Sequence, residues 1–363
     1  MKIALVHDFL TQYGGAERFL EALALCFDNQ VDIYTLTYDH TKFPAHWKGL
    51  RITSVASSLP KIDVYPQIYA PYLVSVMERL DLSSYDVVIT SDVIFSKFVI
   101  CPPQVVHISY MHTPAQTLYG FLDEQKRSIK SSLVSMFQKS FLRNHEYIAV
   151  QRIDRLLTNS HTTADRMASY YKRKATVIYS FVDVPEQKEF AKVYSSSSDY
   201  FICLSRLVRS KRVDLAVRAC NELKVKLVIV GEGSERSYLE SIAGETITFV
   251  GYVDDTKRNL LIAQSKGLIF PGFEDFGLAP LEVMAWGKPV IAYAKGGVCE
   301  SVVDGQTGIF FEQQTVDAVV GALQRFSTMK FNPEACRLRA SDFSRSKFNL
   351  RIKSIVDEAV ANR

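Results

Sequence analysis

The sequence predicts an α/β protein made of two doubly wound parallel-sheet units. Three observations carry this: short β-branched runs alternate with amphipathic segments, the alternation breaks once near Val182 and then resumes, and 363 residues exceed the usual size of one domain. In the first half the strand-like runs are Lys2 to His7, Val31 to Leu36, Asp86 to Thr90, Val105 to Met111 and Arg155 to Asn159. Between the first two, Ala16, Phe19, Leu20, Leu23 and Phe27 recur at the spacing of a helix buried on one face. From Pro185 the chain turns polar and ends in Ser195, Ser196, Ser197 and Ser198, which reads as an exposed linker. Alternation resumes with Tyr200 to Ser205, Lys226 to Val230, Ile247 to Val250, Gly267 to Phe270, Pro289 to Tyr293 and Gly308 to Phe311. The expected organisation is a first domain over 1–183, a linker over 184–199, a second domain over 200–345 and a last helix over 346–363. In that helix Phe348, Ile352, Ile355 and Ala359 form an apolar stripe suited to packing back on the first domain.

Composition excludes several classes. With 47% hydrophobic and 23% charged residues the chain is neither disordered nor polytopic, and no run approaches the ~18 apolar residues of a membrane span. The amino-terminal apolar run stops at His7 and Asp8, too soon for a secretory leader. A net charge of +4 is too mild to indicate nucleic-acid binding. The charge is nevertheless localised, because Asp123 to Lys174 holds eleven Lys/Arg against five Asp/Glu. Cys26, Cys101, Cys203, Cys220, Cys299 and Cys336 form no CxxC pair and read as buried free thiols of a reducing cytoplasm.

Four segments carry candidate chemistry. Gly14-Gly15, between the first strand and the first helix, serves either a tight turn or the close approach of an anion to a helix start. Gly231-Glu232-Gly233 starts a dinucleotide-type fingerprint, but Arg236 stands where its third glycine belongs, which favours a plain strand-to-helix turn. Arg206, Arg209, Lys211 and Arg212 crowd the end of a strand, as a solvated basic turn or as a diphosphate clamp using Arg206 and Lys211. The most specific stretch runs from Phe270 to Glu282. There Pro280 suits a first helical position, which puts Glu274 in the preceding loop and Glu282 in the first helical turn, with N–H groups around Leu278 and Ala279 open to an anion. Phosphate at one end and hydroxyls at the other describe a nucleotide sugar.

Taken in order, Gly-Gly-Ala-Glu-Arg at Gly14, Ser-Arg-Leu-Val with Lys211, Glu-Asp-Phe-Gly through Glu282 and Gly-Lys-Pro-Val-Ile-Ala at Gly287 resemble the family-4 retaining glycosyltransferases. The resemblance covers nearly the whole chain. It implies the GT-B fold, two Rossmann-like domains facing each other across a cleft. Within the family, Tyr110-Met111-His112-Thr113-Pro114, Ser83 to Ile89 and Thr158-Asn159-Ser160 are similar to the mannosyltransferases of bacterial O-antigen and capsule synthesis. Where those relatives carry an aromatic and basic run, this chain reads Ala115-Gln116-Thr117-Leu118-Tyr119.

The resemblance implies the following roles. Gly14 and Gly15 approach the diphosphate, Arg206 and Lys211 neutralise it, Glu274 holds sugar hydroxyls, Glu282 grips the ribose and His112 sits beside the anomeric centre. The base rests near Val250, Gly251, Tyr252 and Val253, and Phe276, Gly277, Leu278 and Ala279 complete the nucleotide-sugar site. The donor is expected to be GDP-mannose and the acceptor a glycan on a polyprenyl diphosphate. Transfer proceeds by front-face displacement without cofactor or metal, since Asp254-Asp255 and Asp39-His40-Thr41 form no DxD triplet. Lys126, Arg127, Lys130, Lys139 and Arg143, interleaved with Ile129, Leu133, Val134, Met136, Phe137, Phe141 and Leu142, read either as a helix on anionic lipid or as a helix packing its apolar side on the first sheet. A lipid-borne acceptor favours the former, and with it a peripheral place on the inner face of the cytoplasmic membrane. The alternatives are a UDP-glucose or UDP-galactose donor and, more remotely, an NAD(P)-dependent oxidoreductase or a non-catalytic scaffold.

Overall fold

The computed structural model describes residues 1–57, 59, 62, 69–119, 132–188, 190 and 199–362, with the backbone alone at 116, 117 and 132–138. These divide into two compact units, one formed by Met1–Tyr179 with Phe348–Arg363 and the other by Ser180–Lys347. The serine-rich residues 191–198 lie outside the described residues.

The first unit contains β1 (Ile3–Leu10), β2 (Val31–Tyr38), β3 (Arg51–Ser54), β4 (Val87–Asp92), β5 (Val106–Met111), β6 (Arg155–Thr158) and β7 (Thr176–Val177). They form one parallel sheet in the order β3-β2-β1-β4-β5-β6-β7. Sequence pattern does not reveal two of these strands. Arg51–Ser54 is a largely exposed edge strand without apolar alternation, and Thr176–Val177 is too short for any periodicity. The helix Gly15–Cys26 buries Phe19, Leu20 and Leu23, and Phe348 of the last helix, Arg345–Ala361, meets Phe19 with ring centroids 5.3 Å apart.

Beneath the end of β4 lies a buried ionic cluster. Lys97 Nζ stands 3.0 Å from Asp92 Oδ2 and 2.8 Å from Glu146 Oε1, and all three side chains are essentially inaccessible. Burial alone would discharge the lysine, but the two carboxylates outweigh it and hold the ammonium above its usual range. Asp8 on β1 supports the same loop by accepting backbone hydrogen bonds from Ile94, Phe95 and Ser96.

The second unit contains β8 (Phe201–Leu204), β9 (Leu227–Val230), β10 (Ile247–Gly251), β11 (Leu268–Phe270), β12 (Val290–Tyr293) and β13 (Gly308–Phe311). Their order, β10-β9-β8-β11-β12-β13, repeats the winding of the first sheet and is again parallel throughout. Val213, Val217 and Cys220 of the helix Val213–Leu223 meet Val319 and Leu323 of the helix Val316–Thr328 in one apolar core. The thiols need one correction. Cys26, Cys203, Cys220 and Cys336 are buried and free, whereas Cys101 is partly accessible and Cys299 is exposed, its helix being the single turn Val298–Ser301.

The Lys97 cluster gives the fold a sharp test. Lys97→Met leaves two buried carboxylates unpaired and should lower unfolding free energy by about 3–5 kcal/mol, read by urea denaturation. A change below about 1 kcal/mol, the range of a surface pair, would show that the cluster is not insulated from water.

Candidate functional site

In a doubly wound sheet the loops after the two strands flanking the reversal of strand order diverge, leaving a crevice at their carboxyl ends. The reversal falls between β1 and β4 in the first unit and between β8 and β11 in the second. Gly14 and Gly15 follow β1, and His112 follows β5 beside β4; Arg206 and Lys211 follow β8 and Glu274 follows β11, whereas Tyr252 and Val253 follow the edge strand β10.

In the first unit, His7 pairs in register with Ser91 of β4, and Ser91 with Tyr110 of β5. Their side chains share one face, and His112, two residues past Tyr110, continues it. His7 Nδ1 is 3.1 Å from both the carbonyl and the hydroxyl oxygen of Ser91, and Ser91 Oγ is 3.0 Å from His112 Nε2. The His112 ring stands edge-on to Phe19, 4.8 Å between centroids, and packs against Tyr110 at 5.2 Å. Its backbone is fixed at both ends, since His112 N donates to Asp92 O (3.0 Å) and Asn159 Nδ2 donates to His112 O (2.9 Å). Burial, with His7 adding to it, pushes the His112 imidazole down to about 3, so the ring is neutral at physiological pH. Gly14 precedes the helix Gly15–Cys26 with extended backbone, φ −123°, and donates 2.8 Å to Glu17 Oε2. Thus Glu17, which sequence pattern does not single out, already occupies part of this helix start. Ser91 escapes a reading of sequence for a different reason, because it acts through a neighbour that register alone brings near, and Asn159 enters that reading only within the Thr158-Asn159-Ser160 motif, without its contact to His112.

In the second unit, close backbone packing assembles the basic turn with the acidic loop. A Cβ at Gly231, φ +135°, would stand 1.9 Å from Ser205 O, and one at Gly233 would stand 2.2 Å from Leu207 O. These glycines seat the loop after β9 against the backbone around Arg206, so the structural reading of Gly231-Glu232-Gly233 is the correct one. Arg236, at the position of the missing third glycine, pairs with Glu232 and Glu240. Gly272 plays the same part for Lys211, whose Cα and carbonyl oxygen lie 2.9 Å from where its Cβ would be. Lys211 Nζ then reaches Glu274 Oε1 at 2.6 Å. The Glu274 loop is held from its other side by Gly297 N, which donates 3.0 Å to Glu274 O. Arg206 is exposed at the head of this turn.

The helix that follows is Leu278–Ala285, capped by Gly277 at φ +82°. This corrects the expected register. Pro280 is the third helical residue rather than the first, and Glu282 lies beyond the first turn. Proline is tolerated throughout the first turn because those N–H groups have no acceptor within the helix. Phe276 and Gly277 are buried, while Leu278, Ala279 and Glu282 are partly accessible. Glu282 Oε1 is 3.6 Å from Arg258 Nη2, a partner that sequence spacing does not reveal. Tyr252 is 79% exposed at the end of β10, beside the partly buried Val253. Asp254 serves as a helix cap, accepting from Lys257 N at 2.7 Å.

Of the predicted basic helix, Lys126, Arg127, Ile129 and Lys130 lie outside the described residues, as do the side chains of Leu133, Val134, Met136 and Phe137. Within Ser132–Arg152, Arg143 turns inward, its Nε donating 2.7 Å to Leu118 O, and Leu142 packs on the first core. Among the described residues no helix is long and apolar enough to cross a membrane.

Two outcomes follow. Gly231→Ala forces a left-handed φ and a backbone overlap and should cost about 1–3 kcal/mol or more of stability, measured by thermal denaturation. His112 titrates below its unfolded value, so its contribution to stability is present above about 6.5 and is lost as pH falls from there toward 3. The urea midpoint of the wild type should therefore fall more steeply between pH 7 and 4 than that of His112→Gln, and parallel curves would refute the assignment.

Comparison with known proteins bears on the family and the fold. The sequence matches the family described as Glycosyltransferase Family 4 over residues 13–186 and that described as Glycosyl transferases group 1 over 185–342. It is 25% identical to the alpha-1,3/1,6-mannosyltransferase of Saccharomyces cerevisiae, over 83% of this chain and 71% of that protein. It is 27% identical to a glycogen synthase of Mycobacterium tuberculosis, over 53% of this chain and 49% of that protein. The fold superposes on sucrose-phosphate synthase of Thermosynechococcus elongatus with a TM-score of 0.79, 18% identity and full coverage of both chains. A protein of Anabaena solved with UDP-glucose superposes at 0.69, with 17% identity and 99% and 100% coverage. With the two family matches together spanning 13–342, and with two Rossmann-like parallel sheets, the chain belongs to the family-4 glycosyltransferases of the GT-B fold.

Proposed function

We propose that this glycosyltransferase transfers mannose from GDP-mannose, with retention, to a lipid-linked glycan of O-antigen, capsule or exopolysaccharide synthesis. The observation that carries the reading is the arrangement at the carboxyl ends of β8 and β11. Arg206 is exposed after β8, Lys211 Nζ of the same turn reaches the Glu274 carboxylate, and the helix Leu278–Ala285 begins four residues after Glu274. Cations and helix N–H groups suit a diphosphate, and a carboxylate beside them suits the hydroxyls of the attached sugar.

The chemistry follows from that charge pattern. As the bond between the anomeric carbon and the diphosphate oxygen breaks, negative charge grows on the leaving group, and Arg206 and Lys211 meet it without a metal. The acceptor oxygen bonds to the anomeric carbon on the same face, and its proton passes to the departing phosphate oxygen. In the free protein Lys211 is already paired with Glu274, so the donor takes over two side chains that hold each other in place beforehand. Gly14, Gly15 and His112 act on the diphosphate and sugar from the first unit. Glu282 holds the ribose, and the base lies along Tyr252 and Val253. The lipid diphosphate of the acceptor would bring the protein to the inner face of the cytoplasmic membrane.

The yeast mannosyltransferase supports the sugar assignment. A second reading, transfer from a UDP-hexose, is favoured by the Anabaena structure solved with UDP-glucose. Thermal shift separates the two. GDP should raise the melting temperature and UDP should not, and stabilisation by UDP alone overturns the mannose assignment. With the accepted donor, Glu274→Ala should lower transfer by about 100-fold, and EDTA should leave the wild-type rate unchanged. Full activity in Glu274→Ala would contradict the hold of Glu274 on the sugar, and loss on chelation would contradict a leaving group stabilised by Arg206 and Lys211 alone.

A further inference from the structure

The three polar side chains that line up across β1, β4 and β5 leave one consistent placement of their protons. His7 Nδ1 lies 3.1 Å from the backbone carbonyl oxygen of Ser91. A carbonyl oxygen only accepts, so the proton sits on His7 Nδ1. A charged His7 carries a second proton on Nε2, which faces the Glu17 carboxylate at 4.0 Å, and a neutral His7 keeps its one proton on Nδ1, where the carbonyl lies at 3.1 Å and within hydrogen-bond reach. The same Nδ1–H is 3.1 Å from Ser91 Oγ, which therefore receives rather than gives on that side. The hydroxyl proton of Ser91, a residue with no exposed surface, is left to point at His112 Nε2, 3.0 Å away. The opposite arrangement, with His112 Nε2 donating, would leave the buried hydroxyl proton with no acceptor, at a cost of about 1–3 kcal/mol.

We infer that Ser91 is a positioning residue that fixes His112 as the neutral Nδ1–H tautomer, so that the ring offers a hydrogen-bond donor at Nδ1 to an oxygen of the transferred sugar. The inference rests on the placement of His112 beside the sugar. It adds the direction of the hydrogen bond and the residue that sets it. Each neighbour of the ring serves the same end. Phe19 and Tyr110 hold its plane, and Asn159 with Asp92 hold its backbone. Nδ1 carries no protein hydrogen bond among the described residues, and the residue as a whole is partly accessible. A neutral donor suits a sugar hydroxyl, which needs a directed hydrogen bond rather than a full charge.

Proton-detected long-range nitrogen correlation spectra of histidine-labelled protein test this without any substrate. The cross-peaks of His112 are those that disappear in His112→Gln. They should show protonated Nδ1 and bare Nε2 in the wild type, and an Nε2–H pattern there overturns the inference outright. In Ser91→Ala the tautomer should shift toward Nε2–H, with kcat about tenfold lower and the donor KM within about twofold. His7→Asn, whose amide N–H can replace Nδ1–H, should keep the wild-type His112 pattern. A tautomer shift without a loss of kcat, a loss of kcat without a shift, or a shift in His7→Asn each overturns the role assigned to Ser91. The spectra are read on the free protein and the rates with whichever nucleotide sugar proves to be the donor, so an error about mannose leaves this test intact.

Discussion

The reversal of strand order is the constraint from which the rest of each unit follows. A parallel sheet that winds one way from β1 to β3 and the other way from β4 onward must send two adjacent loops apart. The gap cannot be filled by the connections that made it, and it lies at the carboxyl ends of the strands. The second sheet repeats the order, and the repeat explains how Lys211 after β8 and Glu274 after β11, on loops far apart in sequence, come to pair.

The two gaps are furnished differently. In the first unit the residues are neutral or pair among themselves, and position depends on directed hydrogen bonds between buried groups. Register pairs His7 with Ser91 and Ser91 with Tyr110, His112 follows two residues on, and a slip of one position in any of these strands would turn that strand's residue to the other face. In the second unit the groups are charged and partly open to solvent, and position depends on how closely backbones approach. Glycines at 231, 233 and 272 remove the side chains that would hold the loops apart. The first device fixes proton direction, and the second concentrates charge.

Much of this was legible in the sequence because it rests on local pattern. Alternation revealed the long strands and the helix beginning at Gly15, and residue order along the chain revealed the family. What stayed hidden has physical reasons. Arg51–Ser54 and Thr176–Val177 are strands through edge pairing, not through any periodicity of their own. Pro280 misled because proline marks a helical first turn without marking its first residue. Ser91 is an ordinary polar residue whose importance arises only when register places it against His112, and the hydrogen bond from Asn159 to the same residue is likewise tertiary. The pairing of Arg258 with Glu282 and the inward turn of Arg143 are tertiary facts with no sequence period behind them.

The Asp8 carboxylate adds a consequence for how the chain reaches this state. It receives the N–H groups of residues 94 to 96, which lie 86 to 88 positions later in the sequence. The turn after β4 thus depends on a strand formed far earlier in the sequence. It gains its acceptor only when β4 docks beside β1, after the intervening loop entropy has been overcome. The first unit cannot close its own crevice piece by piece, and the histidine site forms together with the pairing of its two central strands.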